Sequence, residues 1–316
     1  MQPANLPSAL AHPSELEQFA KVELIAFDLD GTLIRQPNDV PGTKLAGLLK
    51  RLRSERVHVT LATGRTYAGA SRVVGSVEIL RKIPLVLYNG SVVMHSDGTT
   101  IVSSTAIDSG AVISVIDLAT GAGADVLLYC IQDHIADTGE TERVYFLGKN
   151  QAPSVEFNGM HVHLGWTPSA SETSVAMLIS SSDSSILPTL RKQLSAINFI
   201  SVTQSGNKYI EIRPALSTKE SGVARLAASL NVAREHVLAV GDNDNDVELL
   251  KWAGIGVCVA NASAEAMASS RYITHYGAAD GAIEVLDLVR RAQRLAKGGK
   301  KREYSHRQSK DSARKA

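Results

Sequence analysis

The sequence contains few of the residues that disulfide-rich, zinc-binding or membrane-spanning proteins need. Its 316 residues include two cysteines, Cys130 and Cys258, too far apart for a C-x-x-C motif or a disulfide framework. No basic start followed by an apolar stretch opens the chain, and no run of about eighteen apolar residues occurs, so we expect no signal peptide and no membrane-spanning helix. These absences predict a cytoplasmic protein.

An excess of charge of one sign is also lacking, since the net charge is +1. The charge is unevenly placed, however. From Lys297 to the last residue, eight basic residues stand against two acidic ones, a charge of +6, so the first 296 residues carry −5. A mildly acidic folded part is not typical of a nucleic-acid-binding protein. Because Gly298-Gly299 interrupts the preceding helical pattern, we predict that residues 297–316 form a disordered basic tail.

The sequence does contain apolar runs that end abruptly in polar residues. Four of them predict strands buried on both faces, as in a parallel sheet: residues 24–27, 57–62, 83–88 and 237–240. Helical apolar spacing separates or follows them, near residues 45–52, 70–80, 218–230 and 282–296. This alternation predicts an α/β fold with a parallel sheet.

Between Asn89 and Pro214 the pattern changes to short alternating segments with helical stretches near 107–121 and 185–196. A mixed, largely antiparallel sheet with helices on one side fits this pattern. We therefore predict a discontinuous core, residues 20–89 and 214–296, and an inserted α+β domain of residues 90–213.

The first buried strand ends in Asp28 and Asp30. Residues at i and i+2 of an extended chain leave it on the same side, and two adjacent carboxylates repel unless a cation or a proton lies between them. Ligands of open α/β sheets bind at the carboxyl ends of the strands. The pair therefore suggests a Mg²⁺ site in which one carboxylate is a nucleophile and the other transfers protons. The alternative is a solvated turn, since Asp and Gly both favour turns.

Two further segments carry groups that suit a phosphate. Thr63 offers a hydroxyl and a backbone N–H, and Gly64 permits a tight turn. Lys219 lies near the start of a predicted helix, where an anion is favoured. Alone, each is weak evidence, since Thr-Gly-Arg is more often merely a turn and a lone lysine near a helix start is usually solvated.

A second acidic loop follows the predicted strand 237–240. Asp242, Asn245 and Asp246 bring oxygen ligands that suit a hard cation. The loop also matches the start of an EF-hand, but Val247 stands where that motif needs Gly and Ala253 where it needs Glu, so we exclude calcium sensing.

In this order, the segments resemble the haloacid dehalogenase superfamily of phosphohydrolases. The large insertion between the second and third motifs is similar to the layout of its Cof-type branch, which has a C2B cap. The matching segments are Asp28–Thr32 for motif one, Thr63–Arg65 for motif two, Lys219 for motif three and Gly241–Asp246 for motif four, with Asn89-Gly90 and Ala279–Gly281 as weaker signatures of the branch. One departure is Glu220, which stands where the family usually has Gly after the motif-three lysine.

The resemblance implies a Rossmann-like parallel-sheet core with an inserted α+β cap of the C2B type. It further implies a Mg²⁺-dependent phosphatase that hydrolyses a small phosphate monoester, a sugar phosphate in our reading, through an aspartyl-phosphate. The implied roles are nucleophile for Asp28, proton transfer for Asp30, metal binding for Asp28, Asp30 (by its backbone carbonyl), Asp242 and Asp246, and phosphate or substrate binding for Thr63, Gly64, Asn89, Lys219 and Asn245.

Two alternatives remain at this point, a phosphomutase of the same superfamily and a catalytically silent binding protein on the same fold. The expected partner is a small phosphorylated metabolite, with no nucleic acid and no membrane, and the expected state is a monomer or a homodimer.

Overall fold

The computed structural model describes residues 2–8, 11–36, 39–76, 78, 80–132, 141–149, 160–169, 171–205 and 208–314, with side chains up to residue 298. Two compact units compose it. Unit 1 contains Met1–Thr60 and Ala227–Ala316, and unit 2 contains Leu61–Leu226. Among the described residues, no helix combines the length and the apolar character that crossing a membrane requires.

The strands of the described residues, numbered in chain order, are β1 (Ala4–Asn5), β2 (Leu24–Phe27), β3 (His58–Ala62), β4 (Pro84–Leu87), β5 (Val92–His95), β6 (Ile101–Ser104), β7 (Asp125–Gln132), β8 (Glu142–Leu147), β9 (Val162–Leu164), β10 (Glu172–Ser180), β11 (Ile200–Ser205), β12 (Tyr209–Pro214), β13 (Val237–Gly241), β14 (Ile255–Cys258) and β15 (Tyr272–Ile273). The α-helices are α1 (Pro13–Ala20), α2 (Thr43–Ser54), α3 (Tyr67–Ser76), α4 (Ser109–Gly121), α5 (Leu187–Leu194), α6 (Lys219–Ser229), α7 (Val247–Trp252), α8 (Ala264–Ser269) and α9 (Ala278–Arg314).

Unit 1 is built on parallel strands in the order β1-β15-β14-β13-β2. Every residue of β2, β13 and β14 is buried, which is why these segments are continuous apolar runs. In the register, Phe27 lies opposite Val240, so the residues that follow β2 and β13 come out at the same edge of the sheet. The predicted α/β class with a parallel sheet is confirmed.

In unit 2, the last residues of β3 pair in parallel with β4. The hairpin of β5 and β6 then pairs antiparallel with β4. A second, six-stranded sheet has the order β11-β12-β10-β7-β8-β9 and is antiparallel except for β8 with β9. One of its faces packs against α4 and α5 through a cluster of buried apolar side chains.

The hairpin differs from the sequence prediction, which placed all residues after Asn89 in the inserted domain. Residues 92–104 extend the sheet of β4 instead, and the second sheet begins only at β7. The physical reason is local, because the tight turn at Tyr88–Gly90 reverses the chain directly after β4 and lets β5 pair with it. The turn at Asp97-Gly98 then lets β6 pair with β5. The functional boundaries of the inserted domain stay a prediction.

The last helix also differs from the prediction that it ends near Ala296 and gives way to a disordered tail. Helix α9 continues to Arg314. Its extension is rich in Lys and Arg, which are good helix formers, whereas each internal glycine costs only about 1 kcal/mol relative to alanine. The glycine pair was therefore a weaker stop signal than the prediction assumed.

Truncation after Ala296 should leave unit 1 stable. The last buried side chains of α9 among those described are Ala292 and Gln293, and residues 294–298 are exposed. We expect the melting temperature of this truncation to fall by less than about 2 °C. Truncation after Asp287 removes the buried Leu288 and Val289 and should lower it by more than about 5 °C. A large loss of stability in the first truncation would contradict the prediction.

Candidate active site

An acidic cluster forms in unit 1 where β2 and β13 end. The backbone N–H of Asp28 donates to the Val240 carbonyl (2.8 Å), so the chain after β2 stays beside the chain after β13. Carboxylate oxygens of Asp28, Asp242 and Asp246 lie within 4.8 Å of one another. Three of the four residues predicted as metal ligands are thus brought together by their side chains.

Asp246 is held by the loop that follows β13. Its Oδ2 accepts hydrogen bonds from the backbone N–H groups of Asp242 (3.0 Å) and Asn243 (3.1 Å), and its side chain is fully buried. A side chain at Gly241 would collide with this carboxylate, which explains the glycine. Two backbone N–H donors therefore hold the Asp246 carboxylate in place within the loop.

Three residues that the sequence analysis assigned no role help to build the same edge. The buried Thr32 hydroxyl donates to Asp242 Oδ1 (2.9 Å), and the Asn261 amide donates to the carbonyl of Gly31 (3.1 Å). Gly31 has φ +86°, and a Cβ there would collide with the Asp242 carboxylate. Asn261 follows β14, the next strand of the sheet, so strand order was the signal that could have identified it.

Asp30 and Asn245 lie on the same two loops as the clustered carboxylates, after β2 and β13. The Asp30 side chain is exposed and is not one of the three clustered carboxylates. That position is compatible with a metal contact through its backbone carbonyl and with proton exchange with solvent. Asn245 lies in the short turn Asp244–Asp246, and it is partly buried.

The donor set fits a hard divalent cation. Asp28 is 4% exposed and Asp246 0%, so two like charges are placed close together where water screens them poorly. Such an arrangement is costly unless a cation or a proton is shared between them. Carboxylate oxygens are also the ligands that Mg²⁺ and Ca²⁺ prefer.

Unit 2 brings together a second group of predicted site residues. Asn89 N–H donates to the Thr63 carbonyl (3.0 Å), and Tyr88 N–H donates to the Arg65 carbonyl (3.1 Å). A Cβ on Gly64 would lie only 3.1 Å from the Asn89 amide, so these two loops are in close contact. Thr63 is 1% exposed, and its Oγ1 accepts from Arg65 N–H (3.2 Å).

Lys219 belongs to the same group and begins α6. It is 1% exposed, which is rare for a lysine. The helix start is capped reciprocally, since Ser221 N–H donates to Thr218 Oγ1 and Thr218 N–H donates to Ser221 Oγ, both at 3.1 Å. Gly90 has φ +97°, and a side chain there would collide with the Thr218 carbonyl. The Asn89-Gly90 turn therefore lies against the start of α6.

Glu220 does not disturb this helix start. It is partly buried in the first turn of α6, and its carboxylate accepts a long hydrogen bond from the Thr218 hydroxyl (3.4 Å). The close approach is made by Gly222 instead, where a Cβ would collide with the Val86 side chain and lie 2.9 Å from the Gly90 Cα. The glycine needed for close packing thus stands two residues later.

Comparison with known proteins agrees with this organisation. The model of the haloacid dehalogenase-like hydrolase family matches residues 25–286. The 5-amino-6-(5-phospho-D-ribitylamino)uracil phosphatase YitU of Bacillus subtilis is 26% identical over 246 residues, 76% of this chain and 87% of the relative.

Solved structures show the same fold. A haloacid dehalogenase-like hydrolase from Bacteroides thetaiotaomicron superposes with a TM-score of 0.67 at 22% identity, covering 84% of this chain and 98% of that one. A subclass IIB sugar phosphatase of the superfamily superposes with a TM-score of 0.62 at 17% identity, covering 80% and 93%.

The match of the family model extends over most of the chain and includes every residue of the acidic cluster. The chain therefore belongs to the haloacid dehalogenase-like hydrolase family, as a phosphatase of the Cof type.

Proposed function

We propose that this phosphatase hydrolyses a small phosphate monoester, a sugar phosphate, through an aspartyl-phosphate intermediate formed on Asp28. The observation that carries the proposal is the position of Asp28, a buried carboxylate at the end of β2 within 4.8 Å of Asp242 and Asp246. A carboxylate fixed by neighbouring loops in this way suits nucleophilic attack at a bound phosphorus.

The proposed reaction has two steps. In the first, an oxygen of Asp28 attacks phosphorus in line, the bond between phosphorus and the ester oxygen breaks, and Asp30 donates a proton to the leaving alcohol. In the second, Asp30 takes a proton from a water molecule whose oxygen attacks the phosphorus, which releases phosphate and restores the Asp28 carboxylate. The exposure of Asp30 suits this exchange of protons.

Oxygens of the transferring group need positive or donor partners in both steps. Thr63 and Lys219 are the proposed partners, with Gly64 and Asn89 completing the loops that present them. The buried ammonium of Lys219 supports this role, because a lysine removed from water is stabilised by a bound anion.

The proposed metal is Mg²⁺. Asp28, Asp242 and the backbone carbonyl of Asp30 would hold it, and Asp246 and Asn245 would support these ligands. When bound, the ion supplies charge neutralisation for the phosphoryl oxygens.

The substrate class follows from composition and from the relatives. Aromatic residues are 5% of the chain, so a polar sugar is a better partner for the inserted domain than a large planar group. The relative YitU acts, by its name, on a compound that carries its phosphate on a ribityl group. The inserted domain would then discriminate between leaving groups, since the core chemistry is common to all phosphate monoesters.

Asp28→Asn should abolish turnover while the fold is retained. An amide is nearly isosteric with the carboxylate, but it is neither a nucleophile nor a charged ligand. The measurement is release of inorganic phosphate from a panel of sugar phosphates. Asp244→Asn, on an exposed carboxylate of the neighbouring loop outside the acidic cluster, is the matched control and should keep most activity. An Asp28→Asn variant that keeps a tenth of wild-type activity would contradict the covalent mechanism.

Removal of divalent ions should inactivate the enzyme reversibly. After thorough treatment with EDTA we expect no turnover, and added Mg²⁺ should restore it. Asp242→Asn should raise the Mg²⁺ concentration needed for half-maximal activity, because one charged ligand is lost. Full activity after chelation would rule out the role assigned to the acidic cluster.

Asp30→Asn should affect poor leaving groups more than good ones. Proton donation commonly contributes about a hundred- to ten-thousand-fold, and a sugar alkoxide needs it while a nitrophenolate does not. We therefore expect a loss of this size in the rate of formation of the aspartyl-phosphate from a sugar phosphate, and a much smaller loss from p-nitrophenyl phosphate, both followed by rapid quench. Equal losses on the two esters would contradict the role of Asp30 as general acid.

A further inference from the structure

One carboxylate of the second sheet reaches the loops that carry Thr63 and Asn89. Glu142, the first residue of β8, accepts hydrogen bonds from the backbone N–H groups of Tyr67 (2.5 Å) and Ala68 (2.9 Å) and from the Tyr88 hydroxyl (2.7 Å). Tyr67 and Ala68 are the first two residues of α3, and their N–H groups have no acceptor within the helix. A negative charge is also favoured there by the helix dipole.

The environment of Glu142 combines burial with three hydrogen-bond donors. Burial raises the pKa of the Glu142 carboxyl, and the three hydrogen bonds act in the opposite direction by favouring its ionised form. Burial and the neighbouring Glu142 charge raise the pKa of Tyr88 well above its ordinary value, so its phenol stays a donor. The Tyr88 ring also packs against Tyr129 of β7, with ring centroids 5.9 Å apart.

The backbone that Tyr88 belongs to is strained. Tyr88 has φ +52° and Asn89 has φ +51°, and both are followed by Gly90 at φ +97°. Asn adopts this left-handed region readily, but a bulky residue such as Tyr88 costs about 1–2 kcal/mol there and persists only where surrounding contacts hold it. The bond from Tyr88 to Glu142 is such a contact.

The strained turn also positions Thr63 and Asn89, which we propose to bind phosphate. Tyr88 N–H and Asn89 N–H donate to the Arg65 and Thr63 carbonyls, so relaxation of the turn would move both loops. Glu142 holds the turn at Tyr88 and holds the start of α3, four residues after Thr63. It therefore fixes the Thr63 loop from both sides.

We propose that Glu142 is a positioning residue of this phosphatase, which acts through Tyr88 and the first turn of α3 to set the geometry of Thr63 and Asn89. The inference rests on the proposed phosphate-binding role of the latter two residues. It links the second sheet, through one side chain, to the affinity of the enzyme for phosphate.

The test compares two single-atom changes of the same kind. Tyr88→Phe removes the 2.7 Å bond to Glu142 Oε1. Tyr145→Phe removes a 2.7 Å bond to Oε1 of Glu172, a largely buried glutamate of the same sheet that also accepts from Gln132 and Arg143. The control therefore loses an equivalent bond to a glutamate. The other donors to Glu172, Gln132 and Arg143, lie in the second sheet itself. Glu142→Gln is the second variant. The N–H group of its amide would face at least one of the three donors that now bond to Glu142, so that hydrogen bond would be lost.

The readouts are the Kd for inorganic phosphate in the presence of Mg²⁺, by calorimetry, together with KM and kcat for a sugar phosphate. A hydrogen bond to a charged group is commonly worth a factor of about ten or more. We expect Tyr88→Phe and Glu142→Gln to raise both Kd and KM about tenfold with a smaller change in kcat, and Tyr145→Phe to change Kd less than about twofold.

Equal effects of Tyr88→Phe and Tyr145→Phe, or unchanged Kd values in all three variants, would overturn the inference. Failure of the proposed function is seen separately. In that case the wild type itself does not hydrolyse the sugar phosphates, while phosphate binding still reports on Glu142. A wild type that binds no phosphate would count against both.

Discussion

Repulsion between like charges is the constraint on which the acidic edge of unit 1 depends. The Asp28, Asp242 and Asp246 carboxylates lie within 4.8 Å of one another, and two of them are buried. Part of the cost is offset by the chain itself, through two backbone N–H groups on Asp246 and the Thr32 hydroxyl on Asp242. The remaining charge gives a divalent cation a large advantage at this edge, and a bound cation is expected to stabilise the folded state.

The second group of predicted site residues is held in a different way, by close packing of the backbone. Gly64, Gly90 and Gly222 each lie where a side chain would crowd or collide with a neighbouring loop. Because glycine has no side chain, the Asn89-Gly90 turn can lie against both the Thr63 loop and the start of α6. The carboxylates of unit 1 are thus spaced by charge and hydrogen bonding, and the polar groups of unit 2 by the absence of Cβ atoms.

Much of this arrangement could be predicted from sequence because it depends on local patterns. Buried parallel strands are apolar runs, and Asp28, Thr63 and Asp242 each follow one directly. Thr32, Asn261 and Glu142 could not be identified in the same way, since their partners lie 210, 230 and up to 75 residues away. No periodicity in one segment encodes such contacts.

The same difficulty affects where helices and sheets end. The Gly298-Gly299 pair predicted a stop that α9 does not obey, since the surrounding helix formers outweigh two glycines. The β5–β6 hairpin could be recognised as strands, but the sheet it joins is decided by pairing with β4. Local propensity predicted which segments form helices and strands, but it did not predict which strands pair with each other or where a helix ends.

The strained turn at Tyr88 and Asn89 has a consequence for the order of folding. Its stabilising partner Glu142 lies 54 residues further along the chain from Tyr88, on a strand of another sheet. Loop closure of that length must precede the contact, so the turn cannot reach its final geometry when β4 first forms. During synthesis, which proceeds from the amino terminus, the loops that carry Thr63 and Asn89 are therefore expected to stay flexible until β8 has emerged from the ribosome and packed against them.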